Sequence, residues 1–204
     1  MLDTGNGSDG KSFGSSEKPT AVIKKNGHVY EAEDRQMTFA VGEYLVYGVS
    51  GVCEVTAICA SPYDKSDPRQ YYALRPYHER SGSLIYTPAE GEMRPMRALL
   101  SGEEAEALLR EAAALSPLEV PFEKMRRDTY RRALGTLDPK DLLRILKTVE
   151  KRRCAVAGTR KRLPDVDLDF EARAKKNLLP ELSLSLSISY EEAEARLAAV
   201  MAAV

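Results

Sequence analysis

The hydrophobic periodicity of this chain changes once, near Met96, and that change limits what the chain can fold into. Between residues 39 and 95 apolar residues come in short runs bounded by turn residues; beyond Met96 they recur at helical spacing. "EYLVYGV" is rich in aromatic and β-branched residues and leads into Ser50-Gly51, a turn signal. "VCEVTAIC" alternates, which predicts Cys53, Val55, Ala57 and Cys59 on one face and Glu54 and Thr56 on the other. After the Pro- and Asp-bearing loop "SPYDKSDPR", two more strands are predicted, "QYYALRP" and "SLIYTP", with Ser81-Gly82 between them. Short strands at this spacing predict a small antiparallel barrel, with its cysteines and apolar residues in the core.

The helical half is marked by its caps. Ser101 with Glu104 three residues on is a capping box, and Ser116-Pro117 should end the helix it opens. A second helix is predicted from about residue 119 to Leu134, with Gly135 as its stop. Asp138-Pro139 reads as an N-cap and first-turn proline. The helix behind it should turn Leu142, Leu143, Ile145, Leu146 and Val149 inward and run to Ala157, before Gly158 and the basic loop "TRKRLP". A fourth helix suits residues 166–179, and Ser189 with Glu192 caps a last one through Val200. "ELSLSLSISY" is ambiguous: its strict alternation scores as strand, while its helical context suits a helix end and connector. The fold class is therefore α+β: a small N-terminal antiparallel barrel, then an all-α domain of about five helices.

Residues 1–36 are rich in Gly, Ser, Lys and Asp and read as a disordered leader, with the folded protein starting near Met37. They contain "GNGSDGKS", a literal phosphate-loop pattern. Four residues before it cannot form the required strand, and Gly14 and Pro19 break the required helix, so a nucleotide site is not expected. The expected division is leader 1–36, barrel 37–97 and helical domain 98–204.

Charge is unevenly spread. The 204 residues carry a net charge of −1, yet residues 121–162 hold 14 Lys/Arg against 5 Asp/Glu. With so few acids nearby to pair them, these cations suit a polyanion such as a nucleic-acid backbone. The candidates are Arg126, Arg127, Arg131 and Arg132 on one helix, Lys147, Lys151, Arg152 and Arg153 on the next, and Arg160, Lys161 and Arg162 in the loop. Arg127–Arg131 and Lys147–Lys151 are i, i+4 pairs, each expected to share a helix face. Such contacts position a duplex without reading its sequence, so binding should be salt-sensitive.

Catalysis is not expected. The chain has two histidines, His28 and His78, neither in a nucleophile–base pattern. Asp165, Asp167 and Asp169 lack the glycine and glutamate of a calcium loop and read as charge at a helix N-terminus. Three cysteines, Cys53, Cys59 and Cys154, show no metal spacing and suit free thiols in a reducing compartment. No metal or cofactor is expected, and no apolar run reaches membrane-spanning length.

"FAVGEYLVYGVSGVCEV", "YYALRPYHERSGSLIYTP" and "MRPMRALLSGEEA" together resemble the CarD family of bacterial transcription regulators, its clostridial-type members above all. The V-G-x-Y-x-V-Y-G-x-x-G-V-C arrangement of residues 41–53 carries most of the likeness, which extends more weakly through "YRRALGTLDPKDLLRILKTVEKRR" and "ARAKKNLLPELSLSLSISYEEAE". The resemblance implies a Tudor- or SH3-like barrel, similar to the polymerase-interacting domain of the transcription-repair coupling factor. That barrel would bind the β subunit of bacterial RNA polymerase partly by strand addition. The matching segment makes Leu84, Ile85 and Tyr86 the polymerase-contacting residues; family members can carry a basic residue where this chain has Tyr86.

The helical domain would contact promoter DNA at the upstream edge of the melted bubble and change open-complex stability, without enzymatic activity or cofactor. A cytoplasmic, nucleoid-associated monomer with no membrane association is implied. Well-known members place a tryptophan as a wedge against the bubble edge. This chain has no tryptophan, and Phe122, Met125 and Arg126 are nearest to that place. Phe122 and Met125 are thus the wedge candidates. The family's small residues at the position of "ELSLSLSISY" imply helix through about Leu184. The alternative function is a barrel-type interaction module whose helical domain binds another protein and no DNA.

Overall fold

The computed structural model describes residues 23–25, 28–30, 39–77, 82–89 and 96–202. The chain forms two compact units, Met1–Arg35 and Gln36–Val204. In the first, strands β1 (Ile23–Lys25) and β2 (His28–Tyr30) pair antiparallel, with Ile23 opposite Tyr30. They fall inside the stretch read as a leader. The phosphate-loop pattern at residues 5–12 and His78 lie outside the described residues.

The second unit begins with a five-stranded antiparallel sheet: β3 (Tyr44–Tyr47), β4 (Gly51–Ala60), β5 (Gln70–Pro76), β6 (Ile85–Pro88) and β7 (Met96–Ala98). Its strand order is β6-β5-β4-β3-β7, so β6 and β7 are the two edges. One face buries Leu45, Tyr47, Cys53, Val55, Tyr72 and Leu74 together with Phe39, whose backbone N–H donates to the Tyr72 hydroxyl at 3.0 Å. Ile85 from one edge and Met96 and Ala98 from the other pack on this same cluster, so all five strands contribute to one apolar face of a sheet that is not closed.

β4 departs from the alternation predicted for it. Val55 pairs with Leu74 but Ala57 pairs with Ala73, leaving Thr56 as the extra residue of a β-bulge, its hydroxyl donating to the Ala73 carbonyl at 2.9 Å. Beyond the bulge the faces exchange. Ile58 lies opposite Tyr72, so Ala57 and Cys59 fall on the face away from Cys53 and Val55. β7 was not foreseen: three residues at the point where the period changes carry no pattern of their own.

Five α-helices follow among the described residues: α1 (Gly102–Glu111), α2 (Arg126–Gly135), α3 (Pro139–Val156), α4 (Asp165–Leu186) and α5 (Tyr190–Ala202). The caps behave as predicted. Ser101 and Glu104 form the complete capping box of α1, Asp138 accepts from the Lys140 N–H at 2.8 Å, and Ser189 accepts from the Glu192 N–H at 3.1 Å. The five apolar residues assigned to the inner side of α3 are all buried.

α2 starts later than predicted. The chain is extended up to Phe122, where Pro117 and Pro121 disfavour helix and the Leu118 N–H donates instead to the Thr148 hydroxyl at 2.8 Å. A 3-10 turn, Glu123–Met125, leads into the helix. Gly135 does not supply the left-handed stop; it is the last helical residue, and Leu137 takes φ 59° two residues later. An L-residue there is strained, and burial of Leu137 against Val46 and Val52 offsets the cost.

"ELSLSLSISY" is helix to Leu186, with Pro180 inside it and Ser187 left-handed at φ 54° as its C-cap. Tertiary contacts override the local pattern. Leu182 is in the helical core, Leu184 packs on Val46, Val52 and Leu137, and the Ser183 and Ser185 hydroxyls donate to the Ile188 and Leu100 carbonyls at 2.7 Å each.

The sheet and α4 are joined by a buried ion pair. Glu181 is 1% exposed and receives both Nη groups of Arg97, at 2.5 and 2.8 Å, and the Leu100 N–H at 3.0 Å. Arg97 Nε donates to the carbonyl of strained Leu137 at 2.7 Å. Gly51 lies so close to α4 that a Cβ there would stand 2.6 Å from Asn177 Oδ1, and its φ of 75° also favours glycine. Replacing Arg97 by Met should leave Glu181 buried and unpaired and lower unfolding free energy by about 3–5 kcal/mol in urea titrations. Replacing both residues with Met should recover most of that loss. A single-variant loss below about 1 kcal/mol would mean the pair behaves as a surface one.

Candidate nucleic-acid interface

The basic block divides sharply once folded. On α2 the buried positions are Arg126, Tyr130, Ala133 and Leu134, which leaves Arg127, Arg131 and Arg132 on the outer side. On α3 Lys151 is exposed, and Arg160, Lys161 and Arg162 are exposed in the following loop. Arg131 pairs with Asp128 at 3.0 Å on the surface; the other six have no ion-pair partner among the described residues.

The remaining four are engaged to different degrees: Lys147 and Arg126 are buried and so are not surface cations, while Arg152 and Arg153 are ion-paired with side chains still 30% and 41% exposed. Lys147 is 2% exposed, and its ammonium donates to the Ala112 and Ala113 carbonyls at 2.7 and 2.8 Å, closing the C-terminal end of α1. Burial lowers its pKa below the ordinary lysine value. The i, i+4 pair Lys147–Lys151 therefore points one residue in and one out. Arg153 pairs with Glu150 and, at 2.6 Å, with Glu171. Arg126 is 3% exposed, and it and Arg152 meet at a buried carboxylate on α4.

That carboxylate is Asp167, which is fully buried. It accepts from the Tyr130 hydroxyl at 2.9 Å, Arg152 Nε at 3.0 Å and Arg126 Nη1 at 3.3 Å. Reading Asp165, Asp167 and Asp169 alike as helix N-terminal charge missed this. The available signal was phase: with Phe170 and Ala174 as core positions of α4, Asp167 falls on the same helix face at i−3. Burial, then the hydrogen bond to Asp167, raises the Tyr130 phenol well above its ordinary range. Local charge counting could not see Asp167 and Glu171, which come from a different helix and add to the nearby acids Glu123 and Glu150.

Arg152 also reaches outward to Glu123, at 3.0 and 3.4 Å, and Glu123 touches Arg126 as well. Glu123 lies in the 3-10 turn between the two wedge candidates, Phe122 at 62% and Met125 at 38% exposure. Beyond α3, Arg153, Lys161, Arg162, Leu163 and Leu168 border an open cleft of about 670 Å³.

At the far side of the sheet, Leu84 is 38% exposed just ahead of β6, and Ile85 and Tyr86 are half-buried on that edge strand. Ile85 faces the core opposite Leu74. Tyr86, opposite Ala73, faces the other way and meets the Tyr63 ring edge-on at 6.3 Å. No second chain segment pairs with the outer side of β6 among the described residues.

No family model matches this chain, and no curated protein matches it. No helix among the described residues is long and apolar enough to cross a membrane.

Two outcomes test this description. Tyr130→Phe should cost about 1.5–3 kcal/mol, the worth of a hydrogen bond to a charged group. Asp167→Asn should cost more, about 3–5 kcal/mol, because it leaves Arg126 buried beside a neutral group; equal stability of Asp167→Asn and wild type would contradict the convergence of Arg126, Arg152 and Tyr130 on Asp167. The thiols should differ too. Burial pushes Cys53 up to about 12, while Cys154 is exposed. At pH 8 a thiol reagent should label Cys154 rapidly and Cys53 only after unfolding.

Proposed function

We propose that this chain is a transcription regulator of the CarD type, which binds the β subunit of bacterial RNA polymerase through its sheet and promoter DNA through its helices. Open-complex stability is what it alters; no catalysis and no cofactor enter the reading. It acts as a monomer in the cytoplasm, held near the nucleoid by polymerase. The observation that carries the proposal is the position of β6: the segment that resembles the family's polymerase-contacting strand is a sheet edge whose outer side has no strand partner among the described residues. Unpaired N–H and C=O groups along such an edge accept an added strand. Leu84 adds apolar contact beside it. The packing of residues from both edge strands on one apolar cluster supports a Tudor-like, partly open barrel.

On the helical side Arg127, Arg131, Arg132, Lys151, Arg160, Lys161 and Arg162 make the phosphate contacts. Exposed Phe122 and Met125 stand in for the missing tryptophan as the wedge. A second reading, in which the helical half binds a protein and no DNA, is favoured by the burial of Arg126 and Lys147 and by the ion pairs that Arg152 and Arg153 already make.

Immobilised full-length protein should retain purified β subunit, and Leu84→Asp should weaken retention at least about tenfold without shifting the unfolding midpoint. Absence of retention would contradict the polymerase part. Duplex binding followed by anisotropy should show no sequence preference and fall steeply with salt. Replacing Arg160, Lys161 and Arg162 together by Ala should reduce the log–log salt slope by about 1–3. Undetectable binding at low ionic strength would favour the second reading.

A further inference from the structure

The charge cluster at the start of α2 holds two arginines and one buried acid, and Glu123 completes it from outside. Arg126 and Arg152 share Asp167, which leaves one positive charge unmatched. The Glu123 carboxylate meets that charge. Both its oxygens face the Arg152 Nη groups, at 3.0 and 3.4 Å, and one of them also touches Arg126 Nη2. The partners differ greatly in exposure: the Arg126 side chain is 4% exposed and that of Glu123 is 70% exposed. Neither Arg126 Nε nor Nη2 has a hydrogen-bond partner among the described residues, the Glu123 contact with Nη2 being an ion contact only, so the guanidinium keeps two unsatisfied donors in a buried place.

We propose that Arg126 and Arg152 form a concealed phosphate site whose occupant in the free protein is the Glu123 carboxylate. Paired guanidinium N–H groups match carboxylate and phosphate geometry alike, so one can replace the other. A backbone phosphodiester carries one negative charge on two unesterified oxygens, so it can take the place of the carboxylate between the two guanidinium groups. Asp167 stays in place beneath and keeps both arginines oriented. Glu123 is free to leave because its own surroundings are largely solvent. Its release would loosen the turn that carries Phe122 and Met125, so phosphate contact and wedge exposure would be coupled. The inference rests on the DNA-contacting reading above for the source of the phosphate, a nucleic-acid backbone; free inorganic phosphate is the other source of the same chemistry.

The test compares full-length Glu123→Gln with Glu119→Gln, which removes the same charge four residues away from an exposed position. Anisotropy with a labelled duplex at several salt concentrations should show Glu123→Gln binding about tenfold more tightly at low salt, with a slope steeper by about 0.9, one further phosphate. Glu119→Gln should gain less than about twofold from long-range electrostatics alone. Equal gains for the two variants would overturn the proposal. If no variant binds duplex, the DNA reading fails separately, and titration with inorganic phosphate decides. Arginine Nε–H NMR signals that move in Glu123→Gln but not in Glu119→Gln would uphold the site for free phosphate. Signals unmoved in both would end it.

Discussion

The Arg97–Glu181 pair is the contact on which the rest of this arrangement depends. A carboxylate on the buried side of a helix is costly to desolvate, and here it follows Pro180, which already removes one helical N–H. Three protein donors satisfy it, two from Arg97 and one from the Leu100 backbone. The same guanidinium holds the Leu137 carbonyl, so one side chain ties β7, the α2–α3 connection and α4 together. Apolar residues could fill such a space with equal stability. What a charged pair adds is a fixed geometry, because both Arg97 Nη groups and the Leu100 N–H converge on the one carboxylate. The consequence is that the edge strand β6 and the exposed cations belong to one compact unit rather than to two tethered modules.

Elements whose signals are local were legible in the sequence. The capping box at Ser101, the Asp138-Pro139 start and the inner face of α3 need only neighbouring residues to be read. What was not legible is set by partners distant in sequence. The bulge at Thr56 exists because β4 must match β5 while bending, and alternation alone cannot show where a register shifts. The three residues of β7 become a strand only because β3 is beside them. The left-handed residue moved from Gly135 to Leu137 because burial and the bond from Arg97 outweigh a backbone preference of about 1–2 kcal/mol.

The candidate site shows the same limit in electrostatic form. Counting Lys and Arg between residues 121 and 162 shows a basic stretch of sequence, but the folded chain buries two of the cations it counts and pairs others with acids. Lys147 caps a helix end from within, and Arg126 and Arg152 converge on Asp167. The exposed remainder still forms a continuous run of sequence in the loop at residues 160–162, with Arg127, Arg131, Arg132 and Lys151 on the helices before it. Phe122 and Met125 lie at the start of α2, in the stretch nearest to where the resemblance places a wedge, and both are solvent-accessible.

In the proposed role these two surfaces act together, polymerase at the sheet edge and promoter at the helices. The most direct measurement is therefore the lifetime of an open promoter complex, followed after challenge with unlabelled promoter DNA, with and without saturating full-length protein. The account predicts a changed lifetime, and loss of most of that change in Leu84→Asp, which spares the cations. An unchanged lifetime with the wild-type protein demonstrably bound to polymerase would contradict it.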